Sequence, residues 1–256
     1  MRMRIGIIGT GRIASAIVGG LDGAGNPPTA VIVSPRNAGT ASALAARYPR
    51  VAVAADNQAV LDASDCVVLS LRPPTAREAL SPLRFRPDHH VISVMALVPL
   101  ATLAPLVAPA GVLARALTLP SVAARTGPIL HCPGDAATGG VLSGLGTPIA
   151  VDDERQLEVL WAVTALIAPF YALVEQSGKW AAGHGVDSTV AMRYAAGFYR
   201  ALAGPLDAAD AIEPLIAEAQ TPGGLNEQAL RTLRQAGWLE AVDPVLDAVL
   251  ARLADA

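Results

Sequence analysis

Along the first part of the chain, short apolar runs alternate with longer segments of helical period, and beyond residue 154 only the helical period remains. Arg4–Ile8 reads as an isoleucine-rich strand, Ile13–Leu21 as a helix and Ala30–Val33 as a second strand. The alternation continues through helix Ala38–Tyr48, strand Val51–Ala54, helix Asn57–Ala63, strand Cys66–Ser70, helix Thr75–Leu80 and strand Val91–Val94. Such alternation predicts a parallel sheet covered by helices on both faces. Apolar segments around Val112–Ala116, Gly127–His131 and Pro148–Val151 are candidate strands for its far edge.

After Asp152-Asp153-Glu154 the helical candidates are Arg155–Ile167, Tyr171–His184, Thr189–Leu202, Ala209–Gln220, Glu227–Ala236 and Leu239–Leu253. The acidic cluster suits the start of the first of them, so the expected division is an α/β domain over 1–152 and an all-α domain over 153–256. Gln156–Leu173 is apolar around most of its circumference and needs cover on several sides. Its own domain or a partner subunit would serve, and the sequence weighs the two equally.

Composition narrows the partners. A net charge of -3 with 16% charged residues leaves no basic surface to hold nucleic acid by counterion release. Cys66 and Cys132 are too few for a disulfide framework and lack metal-ligand spacing, so a reducing cytoplasm and no metal are expected. The charge-free stretch Val91–Ala114 is long enough for a membrane span, but Pro99, Pro105 and Pro109 interrupt it. His89 and His90 read as solvated turn residues, and His184 as a helix-end residue beside Gly183 and Gly185. Glu175 and Lys179 read as a surface pair.

Two glycine turns carry the chemistry. Ile8 ends the first strand, and Gly9-Thr10-Gly11-Arg12-Ile13-Ala14 leads into a helix, which is the fingerprint of a dinucleotide site. Gly9 permits the turn, Gly11 clears the approach of a pyrophosphate, and Ala14 lets the helix close on the sheet. The second strand ends Val33-Ser34-Pro35-Arg36-Asn37, with no acid to hold a ribose 2′-hydroxyl. A hydroxyl and a guanidinium there suit a 2′-phosphate, so NADP is expected, with NAD as second choice. The other turn is Thr221-Pro222-Gly223-Gly224-Leu225-Asn226, whose following helix presents unpaired amides to a carboxylate or phosphate.

These residues resemble the pyrroline-5-carboxylate reductase family. The resemblance rests on Gly9-Thr10-Gly11, Ser34, Asp56-Asn57, Leu71-Arg72-Pro73 and, most specifically, Thr221-Pro222-Gly223-Gly224. It implies a Rossmann domain, a helical domain that forms a homodimer or higher oligomer, and NAD(P)H-dependent reduction of a cyclic imino acid, by default 1-pyrroline-5-carboxylate to proline. It further implies cofactor contacts from Ser34 and Asn57, and from the loops Ser70-Leu71-Arg72-Pro73 and Val94-Met95-Ala96. Thr221, Gly223, Gly224, Leu225 and Asn226 would hold the substrate.

The departures gather at the substrate end. Leu225-Asn226 replaces a small residue and threonine or two threonines, Leu119-Pro120-Ser121 stands where Met-Pro-Asn is common, and Ala165–Tyr171 replaces a glycine-rich stretch. Asn226 can donate a hydrogen bond but supplies no proton, so its candidate role is to hold the imine or carboxylate. A reductase of another cyclic imine, such as pyrroline-2-carboxylate or a piperideine carboxylate, is one alternative. A non-catalytic NADP-binding regulatory protein is another.

Overall fold

The computed structural model describes residues 3–208 and 211–254. The chain divides into two compact units, Met1–Leu160 and Trp161–Ala256. In the first, the strands are β1 Arg4–Ile8, β2 Ala30–Val33, β3 Val51–Val53, β4 Cys66–Leu69, β5 His90–Ser93, β6 Val112–Leu117, β7 Pro128–Cys132 and β8 Thr147–Ala150. Interleaved helices are α1 Arg12–Asp22, α2 Ala38–Arg47, α3 Asn57–Asp62, α4 Ala76–Leu80, α5 Leu100–Val107 and α6 Ala136–Leu142.

The strands form one sheet in the order β3-β2-β1-β4-β5-β6-β7-β8. The chain winds outward from β1 through β2 to β3, then crosses to β4 on the other side of β1. The crevice beyond the carboxyl ends of β1 and β4 is therefore a switch point, where α/β sheets bind ligands. Residues of α1, α2 and α6 share one buried cluster with Ile5 and Ile7, while residues of α3, α4 and α5 share another with Ile8 and Leu69. Both faces of the sheet are thus covered.

Two features depart from the sequence expectation. Every strand pairing is parallel except β6 with β7. Their connection holds only a 3₁₀ turn at Pro120–Ala124, too little to carry the chain back for a parallel return. In addition, α5 lies inside the proline-interrupted stretch. Pro99 is its N-cap and opens the helix, and Leu103 and Val107 project into the core from one face.

The histidines at the β5 start are not solvated. His89 and His90 are 1% and 8% exposed. His89 Nδ1 accepts from the Arg86 amide at 3.0 Å and Nε2 donates to the Leu61 carbonyl at 3.1 Å, while His90 Nε2 meets Thr138 Oγ1 at 2.8 Å. Burial pushes both imidazoles below the ordinary histidine range. A strand that starts under helix α6 draws its first residue inside, which local polarity does not reveal.

The helix α7 Glu154–Ala162 spans the division between the units, later than the acidic cluster where composition changes. After a 3₁₀ turn at Val163–Leu166 come α8 Ile167–Gly183, α9 Ser188–Leu202, α10 Glu213–Glu218, α11 Leu225–Gln235 and α12 Val242–Ala254. Pro169 does not start a new break, because it occupies the third position of α8, where its missing N–H is not needed. The expected helix from Ala209 begins at residues outside those described, and its described part is α10.

Within this second unit α8 and α9 pack together. Gly178 allows the approach, since a Cβ there would stand 2.8 Å from Met192 Cε, and Ser177 Oγ bonds the Tyr199 hydroxyl at 3.0 Å. Glu175 and Lys179 form the expected surface pair at 2.8 Å. Among the described residues of this unit, the buried apolar side chains are only Ala162, Ala191 and Ala195. Tyr171, Trp180, Tyr194 and Phe198 are 65%, 64%, 74% and 46% exposed. The run Glu154–Gly183 is long and apolar enough to cross a membrane by length and composition, and 11% of its apolar window is buried.

Candidate functional site

The first turn is built for close approach. Gly9 has φ +97°, and a Cβ there would overlap the Ser70 carbonyl, so both backbone conformation and contact with the β4 loop demand glycine. Its amide donates to Ser34 Oγ at 2.9 Å. Ser34 itself is 1% exposed, so its hydroxyl braces the turn from beneath. Gly11 is the N-cap of α1, and the first α1 carbonyl bond there is from Ser15 N to Gly11 O at 3.0 Å. The amides of Arg12, Ile13 and Ala14 precede that bond, and the first turn of α1 contains no acid.

Above the turn lies a cavity of about 430 Å³, lined by Gly9, Thr10, Gly11, Arg36, Asn37, Ser70, Leu71, Arg72 and Thr75. No carboxylate lines it. Among the described residues, Arg12, Arg36 and Arg72 form no salt bridge with an acid. Thr75 Oγ1 donates to the Arg72 carbonyl at 2.9 Å, which fixes the start of that loop. The site combines a helix N-terminus with guanidinium groups and suits a ligand with several negative charges.

Three observations fit a dinucleotide. A Cβ on Gly11 would meet no protein atom within 4 Å, so the protein's own packing does not require that glycine. The Thr10 hydroxyl is buried without a hydrogen-bond partner. The strand β2 ends toward Arg36 with no acid after Val33.

The structure thus gathers Gly9, Thr10, Gly11, Arg36, Ser70, Leu71 and Arg72 around one cavity. Ile8 and Ala14 are fully buried beneath it, Ile13 packs against the core cluster, and Pro73 begins the 3₁₀ turn after Arg72. Asn57 is the first residue of α3, which Asp56 caps by accepting from the Ala59 amide at 2.8 Å. Val94 donates from its amide to the Leu69 carbonyl at 2.9 Å, and Met95 is 2% exposed. Ala96 is half-buried, with its carbonyl held by Arg115.

Sequence reasoning missed Asn37 and Thr75 in the cavity lining, and Arg115 beneath the β5 loop. Asn37 was legible as a helix cap, and its side chain does accept from the Thr40 amide at 3.4 Å. Arg115 was legible as the single charge in the strand Val112–Leu117.

In the second unit, Gly223 has φ +74° and Gly224 is the N-cap of α11. A Cβ on Gly224 would stand 2.8 Å from the Thr221 carbonyl, which already accepts the Gly224 amide at 2.7 Å. Glu227 reaches back to accept from the Gly223 amide at 2.6 Å, a bond of capping-box type. The first amide to bond within α11 is that of Gln228, to the Gly224 carbonyl at 3.1 Å, so those of Leu225, Asn226 and Glu227 remain at the helix end. Asn226 Nδ2 donates to the Ala219 carbonyl at 3.0 Å and ties the turn to the end of α10. Leu225 is 84% exposed.

Residues 4–97 match the family model described as NADP oxidoreductase, coenzyme F420-dependent, and residues 154–255 match that of pyrroline-5-carboxylate reductase dimerisation. A pyrroline-5-carboxylate reductase of Pseudomonas aeruginosa is 26% identical, over 98% of this chain and 96% of that protein. The solved pyrroline-5-carboxylate reductase of Coxiella burnetii shares the fold with a TM-score of 0.88 at 22% identity, over 100% of this chain and 98% of the other. That of Streptococcus pyogenes gives 0.82 at 23% identity, over 100% and 99%. Fold and site together define an oxidoreductase with a Rossmann-type dinucleotide site and a helical dimerisation region. Over nearly its whole length the chain is similar to pyrroline-5-carboxylate reductases.

Proposed function

We propose that this protein is an NADPH-dependent reductase of a cyclic imino acid, with 1-pyrroline-5-carboxylate as the first substrate to test. The observation that carries the reading is the cavity over Gly9–Gly11, where Arg36 and Arg72 stand without acid partners at the switch point of the sheet. Arg36 would hold the 2′-phosphate, and the amides at the start of α1 the pyrophosphate. Ser34 acts from below by fixing the Gly9 amide. When bound, NADPH supplies the hydride for the C=N carbon.

The second turn is assigned the acceptor's carboxylate, on the Leu225 and Asn226 amides. Glu227 already satisfies Gly223 through its side chain, and with the Glu227 amide these donors are the ones left for a ligand. No side chain of the turn is a proton donor of suitable acidity, which is compatible with a cyclic imine that arrives protonated. Asn226 contributes by keeping the turn against Ala219, and its second amide proton can reach the ligand. Water exclusion and orientation are then the protein's main contributions to rate.

The boundary between cofactor and substrate functions is placed at residue 152, ahead of the dimerisation match. The exposed aromatic faces of α8 and α9 are assigned to a second copy of the chain, in a homodimer working in the cytoplasm. That assignment, more than a bilayer, suits a run that itself carries Glu175 and Lys179.

A second substrate reading has its own observation. Leu225 is 84% exposed where the resembled family motif has a small residue or threonine, so another ring size is in play. Oxidation of NADPH by a panel of five- and six-membered cyclic imino acids decides between them. Turnover fastest with pyrroline-5-carboxylate establishes the first reading, a preference for a different ring the second. NADPH binding without turnover on any member would overturn both in favour of a regulatory protein.

A further inference from the structure

Arg115 is the only lysine or arginine among the described residues that is fully buried, at 1% exposure, and nothing in the cofactor or substrate reading employs it. It points from the middle of β6, opposite Ser93 at the end of β5. Nη2 donates to the Ala96 carbonyl, and Nη1 meets Glu154 Oε1 at 2.8 Å and Glu158 Oε1 at 3.4 Å. The Glu154 carboxylate in turn accepts from the Leu100 amide at 3.1 and 3.2 Å through its two oxygens. One ion pair therefore grips the segment after β5 at two points, the Ala96 carbonyl and the Leu100 amide.

Such an arrangement is costly to bury, and Arg115 Nε even lacks a partner. Apolar residues of similar size would fill a β6 position more cheaply, so fold stability alone gives little reason for the charge. A planar fork, however, holds two directions at once, which a point charge or an apolar side chain does not. Resting on the proposed function and on the cofactor contact that the family resemblance implies for the Val94–Ala96 loop, here taken to be with the nicotinamide, we propose that Arg115, clamped by Glu154, is a positioning residue that sets this loop for hydride transfer. It touches neither substrate nor cofactor, and acts through the Ala96 backbone.

The test uses the full-length dimer and two variants, Arg115→Lys and Glu154→Gln. Lysine keeps the charge but lacks the fork, and glutamine keeps the shape but not the ion pair. Two readouts are taken: hydrogen exchange of the amides from Met95 to Leu100 in the protein without cofactor, and kinetics with 4-deuterated NADPH. The expected result is faster exchange confined to that segment, with kcat lowered by about 10- to 100-fold. The deuterium isotope effect on kcat should rise while NADPH affinity stays near wild type, since misplacement burdens the hydride step alone.

Unchanged exchange in the folded variants would overturn the clamp. Faster exchange with wild-type kcat and isotope effect would overturn the positioning role and leave a merely structural pair. If Arg115→Lys fails to fold, Glu154→Gln carries both readouts. If the wild-type protein turns over no imine, the functional reading fails, and exchange in the variants still decides the clamp.

Discussion

The two units of this protein hold themselves together in opposite ways. The first buries Ile5, Ile7, Ile8, Val33, Leu69 and Ile92 between two helical layers, and its functional turn is braced by a buried hydroxyl and a neighbouring backbone. In the second, the described residues bury three alanines, while four aromatic side chains of α8 and α9 lie largely open. An apolar stripe left uncovered at that scale costs free energy in water unless another surface removes it. The comparison teaches that the cofactor half is finished within one chain, whereas the helical half depends on what covers it.

The largest expected effect breaks that dependence. Phe198→Asp in the α8–α9 face puts a charge where a second copy is proposed to pack, and a central aromatic in such an interface carries about 2 kcal/mol or more. The variant should elute as a monomer on light-scattering chromatography and melt at lower temperature. A variant that stays dimeric with its wild-type melting point would refute the proposed cover. Next comes a substitution confined to the finished half. Gly9→Ala imposes a side chain at φ +97° and against Ser70, at a cost of at least about 1–2 kcal/mol for the conformation alone. Calorimetry should find NADPH affinity lost by about tenfold or more, with the dimer intact, because the damage stays near the turn.

Arg36→Ala is the more selective probe of the same half. A charge-assisted bond to phosphate contributes about 1.5–3 kcal/mol, so NADPH should bind roughly 10- to 100-fold less tightly. NADH lacks the 2′-phosphate and should bind as before. Equal losses for both cofactors would mean that Arg36 supports the loop instead of reading the phosphate.

The contrast between the halves was only partly legible in the sequence. Strands β1 to β5 were readable because short apolar runs between helical periods have few other solutions, and the glycine pattern located the turn between β1 and α1. The antiparallel direction of β7 was not, since strand direction depends on whether a connection can cross the sheet, which composition does not encode. Ser34 was visible as a hydroxyl near the nucleotide but not as a buried brace of Gly9, a long-range contact. Arg115 stood out only as a charge among apolar neighbours; its meaning needed Glu154, far along the chain. For the second unit the helices were readable and their cover was not, because an all-round apolar helix does not say which surface it meets. At 221–226, Gly223 and Gly224 were legible from turn chemistry, while the bond from Asn226 to Ala219 was not.

The smallest effect tests whether acid sensitivity also separates the halves. His89 and His90 are buried in the first unit with imidazole pKa values below the ordinary range, chiefly through burial, while Asp135 draws that of His90 partly back. A folded pKa below the unfolded one means that the unfolded chain binds the extra proton. Their contribution is therefore complete above about pH 6.5, the unfolded histidine value, and is lost as pH falls toward the depressed folded values. His184 in the second unit is exposed at a helix end. All three tryptophans, Trp161, Trp180 and Trp238, lie in the second unit, so their fluorescence reports on it alone. Denaturation between pH 7.5 and pH 5 should shift the circular-dichroism transition more than the fluorescence transition, and His90→Gln should flatten that shift. Equal shifts by both probes would show instead that the units unfold together, so that the self-sufficient core of the first does not make it an independent folding unit.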